Sequence, residues 1–208
     1  MPWNSVKLIP SKRAAVVVAH PDDETLWCGG YVMTHPEFTW RIVTLCRASD
    51  PDRAPRFRRV LEQLVAEGEM ADLDDGPEQQ PLPSELVQGT IQRLLGNQVY
   101  DLIFTHGPSG EYTFHRRHEE CSRAVVELWG EGRIASRQLW LFAYEDGARK
   151  YQPRVRDDAD QRQLLSDAVW KEKHRLITET YGFAADSWEA RTTPHEEGFR
   201  RCSAPKHI

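Results

Sequence analysis

Ala14-Ala15-Val16-Val17-Val18-Ala19-His20-Pro21-Asp22-Asp23-Glu24 runs an unbroken apolar segment straight into an imidazole and three carboxylates. An apolar run without alternation reads as a strand buried on both faces, the kind found in parallel sheets covered by helices. The histidine and acids fall where that strand hands over to a helix spanning Glu24 to Met33, and the acids complement the helix's positive end. In open α/β folds ligands bind in the crevice beyond the carboxyl ends of strands, where this corner falls.

Three other runs repeat the strand signature: Ile42 to Leu45, Leu102 to Thr105 and Leu139 to Tyr144. Helical spacing fills the intervals. Phe57, Leu61, Leu64 and Val65 mark one helix with Gly68 as its stop. Val87, Ile91, Leu94 and Leu95 mark another, opened by Ser84 as N-cap and closed near Gly96. Cys121, Val125, Leu128 and Trp129 share a face of a third, with His118 at its start. Strands alternating with helices predict an α/β protein: a single-domain, Rossmann-like, mostly parallel sheet with helices on both faces, spanning residues 1–208. Gln161 to Thr180 reads as a long C-terminal helix with Leu165, Val169 and Leu176 inward and Lys171 to Arg175 a solvated basic face. Asp72 to Pro83, acidic and proline-rich, reads as a surface loop.

Composition bounds the partners. The 27 Lys and Arg against 32 Asp and Glu leave a net charge of −5, which gives no general attraction to nucleic acid or anionic membrane and makes a small molecule the expected partner. No apolar stretch is long enough to span a bilayer, and Met1 to Lys12 lacks the apolar centre of a signal peptide, so a cytoplasmic protein is expected. Cys28, Cys46, Cys121 and Cys202 are widely spaced and read as reduced thiols, the first three of them buried. Homo-oligomerisation is left open by the sequence.

His20, Asp23 and His118 supply two imidazoles and a carboxylate, a three-ligand set that leaves a coordination position open, as catalytic rather than structural zinc does. Zn2+ is favoured by ligand type, although the same set also suits iron(II), manganese or nickel. Asp22, beside the set without belonging to it, can take the proton of an activated water as general base. His115 can reach the same cavity to stabilise an oxyanion and, if protonated, to give a proton to a departing amine. Another reading makes Asp22, Asp23 and Glu24 helix-capping charges only. His106 reads as an outer neighbour of the site or a buried strand-end residue, and His35, His174, His195 and His207 as surface residues.

These residues carry a resemblance. Ala19-His20-Pro21-Asp22-Asp23-Glu24, the glycine pair Gly29-Gly30, and Gly107-Pro108-Ser109-Gly110-Glu111-Tyr112-Thr113-Phe114-His115-Arg116-Arg117-His118 resemble, in order, spacing and strand context, the LmbE-like or PIG-L-type zinc-dependent N-deacetylases over about residues 13–190. The resemblance implies an LmbE-like fold, His20, Asp23 and His118 as metal ligands, Asp22 as general base, and His115 as the group that assists collapse of the intermediate. It further implies removal of an acetyl group from an N-acetylated amino sugar, such as N-acetylglucosamine, or its conjugate. Many members carry Pro-Asp where this chain has Arg116-Arg117, so either an outside carboxylate such as Glu111 takes over the task of orienting His115 or His115 behaves differently; the Glu111-Tyr112 pair matches a form seen in a subset. Arg47, Asp50 and Arg53, on the second strand's end, join Glu111 and Tyr112 as candidate substrate contacts, and Trp27 is either core or a sugar platform. Two alternatives stand beside this reading: a zinc amidase acting on another N-acyl small molecule, and a non-catalytic metal- or sugar-binding protein.

Overall fold

The computed structural model describes residues 12–203; the N-terminal stretch up to Ser11 and His207, on which expectations were placed above, lie outside it. Chain order runs β1 (Lys12–Val18), α1 (Asp23–Thr34), β2 (Phe38–Thr44), α2 (Arg53–Leu64), β3 (Glu67–Met70), α3 (Ser84–Leu95), β4 (Val99–Tyr100), β5 (Leu102–Thr105), α4 (Arg116–Gly130), β6 (Ala135–Ser136), β7 (Leu139–Phe142), β8 (Tyr144–Glu145), β9 (Arg154–Val155), β10 (Gln161–Leu164), α5 (Asp167–Arg175), a π-helical turn (Leu176–Thr180), α6 (Trp188–Thr192) and β11 (Glu196–Arg201).

Seven strands form one sheet in the order β10-β11-β7-β5-β1-β2-β3, while β4 pairs with β6 and β8 with β9 in two-stranded ribbons. Strands β3, β2, β1, β5 and β7 are parallel, and β11 and β10 continue the sheet antiparallel. Alternation along β1 sorts the core. Ala14, Val16 and Val18 pack toward α1, α2 and the turn after α5, whereas Ala15 and Val17 pack toward α3 and α4. The fold class is therefore the expected one, a mostly parallel sheet with helices on both faces.

The chain leaves β1 in one direction along the sheet, to β2 and β3, and reaches β5 and β7 in the other, so β1 and β5 flank the reversal of strand order. A crevice opens at such a reversal because successive crossovers depart to opposite sides. Both histidine-bearing segments begin there, one after Val18 and one after Thr105.

Several local expectations are corrected. Gln161–Leu164 is a strand, not the start of a helix; its polar sequence belongs to a sheet edge bonded only to β11. The helix is Asp167–Arg175, with Ser166 as N-cap accepting from the Val169 N–H. Lys173, expected in solvent, is wholly buried and ion-paired at 2.7 Å to Glu197 of β11. Glu197 also accepts the Gly30 and Tyr31 N–H groups, and a side chain at Gly30 would collide with Leu165, so the second glycine lets β10–β11 and α5 close on α1. Gly68 lies inside β3 rather than stopping α2, which ends at Val65 in a left-handed conformation with its side chain 87% exposed. Pro83, not Ser84, occupies the N-cap of α3. The four cysteines are free thiols, and all but the half-buried Cys202 are enclosed.

Candidate metal centre and catalytic site

Backbone pairing beyond the strands aligns the segments of the site. Leu45 and Cys46 N–H groups donate to the Val18 and Ala19 carbonyls, and the Ala19 N–H donates to Nε2 of His106 at 2.9 Å. The ends of β1, β2 and β5 thus meet around His20. Asp22 then takes φ 128°, a conformation that costs a residue with a side chain of order 1–3 kcal/mol. Its neighbourhood holds it there: the Asp22 N–H donates to Glu24 Oε2, while Thr25 and Tyr181 hydroxyls donate to Glu24 Oε1 at 2.6 Å. The Asp22 carboxylate caps no helical N–H and lines a cavity of about 380 Å³, which sets aside the reading of Asp22 as a side-chain cap.

His20 Nδ1, Asp23 Oδ2 and His118 Nε2 form a triangle with edges of 3.1, 3.3 and 3.3 Å. Tetrahedral ligands about 2.0–2.1 Å from a zinc ion stand roughly 3.3 Å apart. The outer bonds make the chemistry of the triangle plain. His118 Nδ1 lies 2.7 Å from Glu111 Oε2, and His20 Nε2 lies 3.1 Å from Asp75 Oδ1. Burial would raise both carboxyls, but His106 and His118 hold Glu111 down at about 2, and His20 and Arg47 hold Asp75 below the usual carboxylate range. An ionised carboxylate only accepts, so each outer ring nitrogen carries the hydrogen and each inner one presents a lone pair. Two nitrogen lone pairs and a carboxylate oxygen therefore converge with no donor hydrogen between the rings. That arrangement asks for a cation, and the donor set fits a divalent metal.

Without a metal, protons answer the same demand. Burial alone would lower His118, yet Asp23 and Glu111 push it up to about 10; Asp23, against its burial, is held well below the ordinary range by His118 and His106. Asp22 moves the other way, driven well up by burial and by the adjacent Asp23 charge. Asp23 is further fixed by the His20 N–H and by Trp27 Nε1 on its other oxygen, and Trp27 is wholly buried beneath the site as core.

His115 differs from its neighbour. Its ring stacks 4.4 Å from that of His118, but its Nδ1 is buried with no partner among the described residues, and its Nε2 meets only Gln79 Nε2 at 3.5 Å. Burial, together with the charges of His118 and His20, lowers it to about 3. Of the two alternatives for His115, orientation by Glu111 is set aside, because Glu111 is wholly buried between His106 and His118. These surroundings favour the neutral ring of His115.

Arg47, Arg53 and Tyr112 line the cavity as the sequence predicts, whereas Asp50 and Glu111 do not. Asp50 accepts from the Asp52 and Arg53 N–H groups at the start of α2, a local turn bond that explains its position. Arg53 stacks its guanidinium 4.2 Å above Phe183 and keeps a buried Nη1 without a hydrogen-bond partner among the described residues. Asp75, Gln79, Phe183, Trp188 and Glu189 also line the cavity and escaped sequence reasoning. The loop carrying Asp75 reads from sequence as a surface loop, and nothing in its composition singles out one acid. Arg117 does so in space: it is 2% exposed, pairs with Glu120, and donates to the Asp74 and Gln80 carbonyls, strapping that loop over the site.

Comparison with known proteins places this geometry in a lineage. The N,N'-diacetylchitobiose deacetylase of Pyrococcus horikoshii superposes with a TM-score of 0.70 at 15% identity over 93% of this chain and 84% of that one. The 4-carboxy-2-hydroxymuconate hydratase of Pseudomonas putida KT2440 superposes at 0.65 with 14% identity, covering 95% and 98%. Likeness at this level shows the fold, and the fold evidently serves more than one chemistry. An uncharacterised protein, L374, of Acanthamoeba polyphaga mimivirus is 20% identical over 129 residues; the match covers 54% of this chain and 56% of that protein, so the chain spans little more than half of the relative's length. Residues 15–129, which contain both histidine segments and the strapped loop between them, match the PIG-L: GlcNAc-PI de-N-acetylase family, and the chain belongs to it.

Proposed function

We propose that the protein is a metal-dependent N-deacetylase that hydrolyses the acetamide of an N-acetylated amino sugar or its conjugate. The observation that carries this reading is the triangle of His20 Nδ1, Asp23 Oδ2 and His118 Nε2, three acceptors turned toward one point at the floor of a polar cavity. A divalent cation held there, zinc by ligand type, would polarise the acetyl carbonyl and lower the pKa of water.

The chain's own residues divide the rest. Asp22 faces the cavity from the strained corner and takes a proton from the attacking water as the new C–O bond forms. Its upward-driven affinity for protons suits it to take and hold that proton, which passes to the amine nitrogen as that nitrogen becomes basic and the C–N bond breaks, leaving acetate and a free amine. His115, neutral, donates a hydrogen bond to the carbonyl oxygen as negative charge gathers on it and carries no extra proton. Tyr112, Trp188 and Phe183 offer ring faces to a sugar, and the unpartnered Arg53 Nη1 offers a donor to its hydroxyl or anionic groups.

The test joins elemental analysis to acetate release. Wild type is expected to hold about one zinc per chain and to release acetate from at least one member of a panel of N-acetyl amino sugars. Asp22→Asn should keep the metal and lose about 10²–10⁴ in kcat. Metal-free wild type, or hydrolysis unchanged in Asp22→Asn, would sink the reading.

A further inference from the structure

We propose that the protein carries a second, inhibitory metal site built from His20, Cys46 and Asp75, on the opposite side of the His20 ring from the catalytic triangle. It goes beyond the deacetylase reading and shares only His20 with it. Ligand atoms of these three residues lie within 4.8 Å of one another, with His20 Nε2 and Asp75 Oδ1 already at 3.1 Å. The topology explains the placement. Cys46 and His20 sit on adjacent strand ends joined by the Cys46 N–H bond to the Ala19 carbonyl, and the Leu73 N–H bond to the Leu45 carbonyl brings the Asp75 loop alongside. The catalytic triangle draws on the β1 and β5 ends. This set draws on the ends of β1, β2 and β3, so the imidazole stands between two clusters with one nitrogen facing each.

The donors differ in kind. The catalytic set is nitrogen and oxygen, whereas this one adds sulfur, which favours zinc, cadmium and other thiophilic ions. Arg47 holds Asp75 Oδ2 at 2.7 Å, while Oδ1 meets His20 Nε2 at 3.1 Å and Gln79 Nε2 at 3.2 Å, and a metal would take the place of those two Oδ1 contacts. Binding replaces two protons, one from Cys46 Sγ and one from His20 Nε2, both released to solvent. The three ligands then carry three negative charges around the cation, with His20 as an imidazolate between the two positions. A metal there removes the Asp75 hydrogen bond that sets the His20 ring, so occupancy suppresses turnover.

Cobalt(II) titration of the apoprotein separates the two sites. Filling of the nitrogen and oxygen site should give ligand-field bands, and a thiolate-to-cobalt charge-transfer band in the near ultraviolet should appear only as further cobalt is added. Cys46→Ser should keep the first change and lose the charge-transfer band, and the zinc concentration that inhibits acetate release should rise at least about tenfold. His118→Ala, which removes the triangle, should bind cobalt with the thiolate band from the first equivalent, so loss of one site does not mask the other. Wild type that shows no thiolate band at excess cobalt, or a band that survives in Cys46→Ser, would overturn the proposal without recourse to any activity measurement.

Discussion

His115 and His118 stand at the start of the same helix with rings stacked 4.4 Å apart, yet their surroundings are opposite. His118 is held by carboxylates on both nitrogens, Glu111 at 2.7 Å and Asp23 at 3.3 Å, and rises to about 10. His115 has no carboxylate bonded to it among the described residues and, lowered by burial and by the His118 and His20 charges, falls to about 3. Burial disfavours the charged form of both, so the difference comes from partners alone. Under the proposed function this difference becomes a division of labour, with the ring between ionised acids as the ligand and the ring without them as a neutral donor. A His-x-x-His spacing says nothing about which is which.

Exchanging each ring for a methyl group gives the largest effect. His118→Ala should lose the metal, by elemental analysis, and with it all measurable hydrolysis. His115→Ala should retain the metal and lose about 10²–10³ in kcat, the usual cost of one oxyanion donor. Equal metal loss in both variants would erase the distinction and make His115 a ligand.

Arg117 tests how the distinction is built. Its guanidinium neutralises Glu120 and binds two carbonyls of the loop that delivers Asp75 to His20 and Gln79 to His115. Arg117→Met strands the Glu120 carboxylate in the interior, and breaking a buried pair in this way costs about 3–5 kcal/mol. Urea unfolding should register that loss, and KM should rise more than kcat falls because the loop walls the cavity. Stability within experimental error of wild type would mean that the loop is held by other contacts.

Glu111→Gln sharpens the comparison from the other side. The amide keeps the size of the side chain but replaces one acceptor oxygen with a donor, and His118 loses the ionised partner that fixes its tautomer. Metal affinity should fall about 10–100-fold, read by competition with a chromophoric chelator, while His115, which Glu111 does not touch, keeps its role. An unchanged affinity would show that Asp23 alone orients the His118 ring.

The parts of this architecture that could be read from sequence are those where fold and chemistry lie in one contiguous stretch. Strands buried on both faces announce themselves by hydropathy, as Ala14–Val18 and Leu102–Thr105 do, and the acids after Val18 sit within one helical turn of His20. Edge strands escape. Glu67–Met70 and Gln161–Leu164 each pair on one side only and bury none of their side chains fully, so their composition matches that of loops. Asp75 escaped for a related reason: Asp72, Asp74 and Asp75 look equivalent in sequence, and only the path imposed by Arg117 turns one of them inward. The same holds for Lys173, whose charged neighbours are solvated while it alone meets Glu197.

The smallest expected effect concerns the segment that leads to His115. Asp146 accepts the Thr113 N–H at 2.8 Å and the Thr113 hydroxyl at 2.7 Å, tying the approach to His115 against the β8 ribbon. Burial would raise this carboxyl, but the bonds from Thr113 hold it below its ordinary value. A group lowered in the folded state binds fewer protons there than in the unfolded chain. Its contribution is therefore complete above the unfolded carboxyl range, near 3.9, and drains away as pH falls through the lower folded value. Asp146→Asn cannot ionise and cannot accept both bonds through its amide nitrogen, so it should lose about 1 kcal/mol at neutral pH. The gap between wild type and variant should narrow as the medium is acidified toward the folded value. A gap that stayed constant with pH would assign the loss to shape rather than to charge, and would leave the backbone alone as the support of the His115 segment.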